Sequence, residues 1–115
     1  MKNTSNLHNW FLMKFPDIPG FKARGRPTEE LYQYFALPSD FPICLFGQTY
    51  GDTRADEKLS AFTDGHRILT GDLINFTRER AETERSVYTL HDMNPAYVEW
   101  LEAQGVSPLF MQELS

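Results

Sequence analysis

The chain has 115 residues, 41% of them apolar and 23% charged, a composition that builds a packed core rather than a disordered chain. One cysteine excludes an internal disulfide framework and a four-cysteine zinc site, and no apolar stretch is long enough to span a bilayer. The net charge of −5 is uneven: residues 1–50 carry five Lys/Arg against four Asp/Glu, residues 51–115 six against twelve. An acidic balance disfavours binding to a nucleic-acid backbone, which selects cations, and suits either plain solubility or an acidic face aimed at a basic partner.

Met1 to His8 is polar and lacks the apolar core of a secretory signal, so a cytoplasmic single domain is expected. Trp10 to Phe15 is short, aromatic and stopped by Pro16, which predicts a strand, with a turn over Pro16–Gly20. The basic run Lys22, Arg24, Arg26 reads as a solvated loop, with phosphate or an acidic partner as the sharper alternative. Thr28 to Phe35 suits a short helix capped by Thr28, although its aromatic content also suits a strand.

Ile43 to Tyr50 predicts a central strand, apolar on both faces at its start, with Gly47 placed for a bulge or bend. Gly51 to Ser60 is polar loop, and Asp64-Gly65 is a turn dipeptide. Arg67 to Thr77 and Arg85 to Leu90 read as two strands joined in a hairpin by the charged connection Arg78–Glu82. Asn94 is placed to cap a helix opened by Pro95, closed by Gly105 and burying Tyr97, Trp100 and Leu101. The expected fold is α+β, mainly antiparallel β: a small twisted sheet or open barrel packed by a C-terminal helix. The apolar tail with Leu109, Phe110, Met111 and Leu114 either completes the core or is offered to a partner or to a second copy in a homodimer.

No phosphate loop, nucleophile elbow, HExxH or CxxC run occurs. Cys44, between Ile43 and Leu45, reads as a buried, inert thiol rather than a nucleophile. His66 and His91 stand beside Asp64 and Asp92, which opens a metal or acid–base reading; exposed strand ends beside turn aspartates are the plainer one. No catalytic residue, metal or cofactor is expected. The candidate contact surface is the loop mouth after the central strand, Tyr50, Asp52, Arg54, Asp64 and Arg67, because rigid strand ends position functional loops. Asp52, Asp56, Glu57 and Asp64 would line an acidic rim there.

Three runs carry a resemblance: Phe62-x-Asp-Gly-x-x-Ile-x-Thr70, Ser86-Val-Tyr-x-Leu90 and Asn94-Pro-x-Tyr-x-x-Trp-Leu101, preceded by Leu45 to Arg54. Over residues 43–104 the chain resembles a loosely defined group of small uncharacterised bacterial proteins often met in phages and mobile elements, with Ala55 to Ser60 as an insertion. The resemblance implies no activity. It implies, by analogy, a mobile-element accessory protein. The leading expectation is a non-enzymatic binding protein acting through protein–protein contact, one form being an inhibitor whose acidic face occupies the basic channel of a host defence nuclease. The rival readings are a small metal-dependent hydrolase or nuclease using His66 and His91, and a structural homo-oligomer.

Overall fold

The computed structural model describes residues 3–16, 19–22, 26–40, 42–51 and 65–107. Asp52, Arg54, Asp56, Glu57 and Asp64, Arg24, the middle of the Pro16–Gly20 turn, and the tail from Pro108 onward lie outside them. The fold is α+β. Its organising element is β1 (Asn3–Met13), which pairs antiparallel with β2 (Cys44–Tyr50) on one side and parallel with β6 (Ser86–Leu90) on the other. Adding β3 (His66–Leu69) beyond β2, and β5 (Arg80–Glu82) and β4 (Asn75–Phe76) beyond β6, gives a six-stranded, mostly antiparallel sheet ordered β3-β2-β1-β6-β5-β4.

The strand expected over Trp10 to Phe15 thus begins seven residues earlier and ends at Met13. Hydrophobicity hides its first half, because Ser5 is buried through a hydroxyl–hydroxyl hydrogen bond to Thr49 on β2 rather than through apolar packing. A two-against-one bulge interrupts the β1–β2 ladder. His8 pairs with Gln48 and Phe11 with Phe46, so Asn9 and Trp10 together face Gly47. Asn9 takes a left-handed φ of 55°, which a short polar side chain tolerates better than a branched one. Gly47, placed by the sequence for a bulge or a bend, lies opposite a bulge; the extra residue belongs to its partner strand. A Cβ on Gly47 would lie 3.2 Å from Trp10 Cβ and 3.3 Å from the His8 carbonyl.

The expected helix over Thr28 to Phe35 divides into α1 (Thr28–Leu31) and a 3₁₀ turn over Tyr32–Tyr34. Thr28 does not cap it: Pro27 holds the cap position, and the Thr28 hydroxyl accepts from Arg67 at 2.6 Å. Pairing with β1 stops the helix. Tyr34 O accepts from Lys14 N–H, and Ala36 N–H donates to Leu12 O. Tertiary hydrogen bonds here outweigh helix propensity.

Arg67 to Thr77 is not one strand. Thr70 N–H donates to Leu45 O and its hydroxyl accepts from Leu45 N–H; Leu73 N–H then donates to Ile43 O, and Ile74 N–H to Glu82 O. Five residues, Thr70 to Ile74, thereby carry the chain from the β2 side to β4, at the far edge. The hairpin expected between this segment and Arg85–Leu90 is replaced by a meander, because part of the Arg78–Glu82 connection is itself strand β5.

α2 (Pro95–Ala103) forms as expected, with the Asn94 side chain accepting from Ala96 N–H at 2.9 Å. It closes on Gly105 at φ 78°, with Gly105 N–H donating to Glu102 O and Val106 N–H to Leu101 O, a Schellman ending. Tyr97 and Leu101 are fully buried, and the Tyr97 hydroxyl donates to Ala36 O at 2.6 Å. Trp100 is only half-buried: it stacks on Tyr97 and tilts against Phe35, shielding them instead of entering the core. The core itself is ring-rich. Phe11 stacks on Phe46 and meets Tyr32 and Phe35 edge-on, and Trp10 meets Phe76.

The close approach at the bulge sets a stability prediction. Gly47→Ala should cost about 1–3 kcal/mol by overpacking, whereas Gly71→Ala, with open space around its Cβ position, should stay within about 0.5 kcal/mol of the parent. Equilibrium urea unfolding of both variants measures the difference.

Candidate functional site

The sheet face that buries Phe11 on Phe46 continues, by register, to His8 beside Gln48 and then Asn6 beside Tyr50. There the covering segments end and the side chains come into the open: His8 is 39% and Tyr50 36% exposed. His91, just past β6, is brought alongside by its N–H, which donates to Leu7 O. Its ring stacks on His8, centroids 4.4 Å apart and planes within 4°, and Tyr50 meets the His8 ring edge-on at 4.9 Å.

Two polar side chains orient the stack. Asp92 Oδ1 lies 2.6 Å from His8 Nδ1, which donates, and Asn6 Oδ1 lies 3.0 Å from His91 Nε2, which donates. In the neutral rings, His8 Nε2 and His91 Nδ1 are then the lone-pair nitrogens. The other Asp92 oxygen accepts from Asn9 N–H at 3.3 Å, and the Asp92 carbonyl accepts from Trp10 N–H. One residue therefore grips the β1 bulge and positions an exposed imidazole. Burial alone would raise the Asp92 carboxyl; the His8 hydrogen bond, amide donors and the His8 charge hold it below the usual carboxylate range.

Of the sequence candidates, Tyr50 belongs to this cluster. Arg67 lies on β3, exposed and bonded to Thr28, while Asp52, Arg54 and Asp64 lie outside the described residues. His66 and His91 are not brought together. β2 and β1 separate β3 from β6, a span of about 14 Å at ordinary strand spacing. Asp92 serves His8, not His91. Sequence reasoning gave His8 no role; its one signal was the apolar–polar alternation Leu7-His8 broken at Asn9-Trp10, where the bulge lies.

Among the described residues, no group of three or more His, Cys, Asp or Glu side chains converges as a metal site, and no helix is long and apolar enough to cross a membrane. Cys44 is buried, and burial, with a smaller push from Asp72, raises its thiol to about 12. The Ser5 and Thr49 hydroxyls are buried against each other. A carboxylate-held imidazole is half of an acid–base pair, and the described residues place no activated nucleophile beside it.

Away from this cluster, an open cleft of about 1430 Å³ follows the β3 edge. Its lining includes Lys22, Arg26, Arg67 and Arg85 against Asp72 and Glu84, so it is locally basic on a chain of net charge −5. No protein-family model, curated protein or solved structure matches the chain.

A carboxyl lowered by folding contributes stability that is complete above its unfolded value, about 3.9, and is lost as pH falls through the folded value. Asp92→Asn should therefore lower stability at pH 7 and flatten the acid limb below about pH 5. Urea midpoints between pH 7 and pH 2.5 test this; an unchanged acid limb would contradict the Asp92 clamp.

Proposed function

We infer that the protein is a non-enzymatic binding protein that works through protein–protein contact, with the His8–His91–Tyr50 face as its contact surface. The observation that carries this reading is the ring stack itself: three exposed rings held in fixed orientation by strand pairing and by Asp92 and Asn6. Such rings offer contact area at little entropic cost, which is why tyrosine is enriched at interface centres. The proposed partner surface is basic. The Asp92 carboxylate stands in the cluster, and Asp52, Asp56, Glu57 and Asp64 follow Gly51 in the sequence. Occupation of a nuclease's basic channel is one form of this contact. The crossing from Ile43 to Glu82 through Leu73 and Ile74 supports reading the sheet as an open barrel that stiffens the platform.

A second reading rests on the 2.6 Å His8–Asp92 contact, which suits proton transfer at His8 Nε2. It moves the acid–base alternative from the His66/His91 pair to His8. The two readings separate in one experiment: affinity capture from the native host with the parent protein and with His8→Ala/Tyr50→Ala, read by mass spectrometry at two salt concentrations. The binding reading expects a basic partner whose recovery falls at least tenfold in the double variant and declines with salt. Recovery that the double variant leaves unchanged contradicts it. Turnover of a substrate lost in His8→Ala would establish the proton-transfer reading instead.

A further inference from the structure

The outer edge of β3, unpaired among the described residues, is the feature that the ring cluster leaves unused. Thr70 N–H donates to Leu45 O, so by the antiparallel alternation His66 and Ile68 turn their main-chain groups to β2. Arg67 and Leu69 turn theirs outward, and no described residue pairs with that edge. The whole run from Gly65 to Asp72 lines the open cleft, whose volume exceeds the usual range for one small ligand.

The side chains around the edge are specific in charge. Arg26 is held by Glu30, but Lys22, Arg67 and Arg85 meet no carboxylate among the described residues. The same cleft is lined by two large exposed apolar side chains, Phe15 at 43% and Ile74 at 54%. A second copy of this chain fits poorly, because edge-to-edge pairing would bring Arg67 near its own counterpart and like charges across a ladder repel.

We propose that the β3 edge takes an extended acidic segment of a partner protein as an added strand, its carboxylates meeting Lys22, Arg67 and Arg85 and its apolar side chains covering Phe15 and Ile74. Main-chain pairing supplies affinity in this mode, and the alternate side chains supply selection. The site is distinct from the ring cluster and stands whether or not that cluster binds a partner.

Fluorescence anisotropy with the full chain tests it, using a fluorescein-labelled ten-residue peptide alternating glutamate and valine. A lysine–valine peptide and a glutamate–valine peptide N-methylated at alternate amides are the controls. The glutamate peptide should bind at least tenfold tighter than either control. Arg67→Glu should reverse the charge preference, and His8→Ala should leave binding unchanged. Equal affinity for the glutamate and lysine peptides overturns the charge assignment, and indifference to N-methylation overturns strand addition. Sedimentation showing that the protein dimerises, with the Arg67→Glu variant monomeric, would make a second copy the occupant and overturn the proposal.

Discussion

Two adjacent residues of β1, Asn9 and Trp10, occupy the place of one across from Gly47, and most of the structure depends on that offset. Strand pairing on both sides of β1 locks its register, and a slip of one residue would exchange its buried and exposed faces. The bulge lets the strand change its business midway. Before it, polar side chains Asn6 and His8 stand on an open face; after it, Phe11, Leu12 and Met13 are all fully buried. Asp92 holds the transition from outside with its carboxylate on Asn9 N–H and His8. From inside, the Trp10 indole N–H donates to His91 O. The core and the exposed ring stack are thus two consequences of one backbone irregularity.

The elements legible in the sequence were those whose signals are local. Asn94, Pro95 and Gly105 mark both ends of α2 by chemistry that needs no tertiary partner, and β2 and β6 are continuous β-rich runs. Elements set by distant pairing were misread. Asn3 to Asn9 carries little apolar signal, since Ser5 and Thr49 satisfy each other across two strands. Arg80–Glu82 reads as solvated charge yet forms a strand, because a short strand near a sheet edge needs only its backbone and one inward residue, Ala81. The candidate site was half legible. Tyr50 follows from its place at a strand end. His8 does not, because the His91 ring that stacks on it and the Asp92 carboxylate that holds it are 83 and 84 residues away and reach it only through the parallel β1–β6 pairing.

Charge divides the surface in a way the overall composition conceals. The net charge of −5 suggests a uniformly acidic protein, but the cleft along β3 gathers four cations against two carboxylates. The remainder is consequently more acidic than the whole. The ring cluster with its ionised Asp92 and the β3 edge, where Lys22, Arg67 and Arg85 meet no carboxylate among the described residues, would select partners of opposite character. Both surfaces are built on strands anchored to the same core, where Phe11, Trp10, Phe35 and Tyr97 pack ring against ring. A binding surface on so stiff a support loses little conformational entropy on contact.

Replacement of Asn9 tests the central role of the bulge most directly. A left-handed backbone at this position penalises a branched side chain by about 1–2 kcal/mol and relieves glycine of that cost. Equilibrium urea unfolding of Asn9→Gly and Asn9→Val should therefore show glycine equal to or above the parent, and valine lower by about that amount. The His8 and His91 ring signals should shift together in proton spectra of the valine variant. Equal stability of the two variants, with the histidine signals unmoved, would contradict the bulge as the constraint that joins core and site.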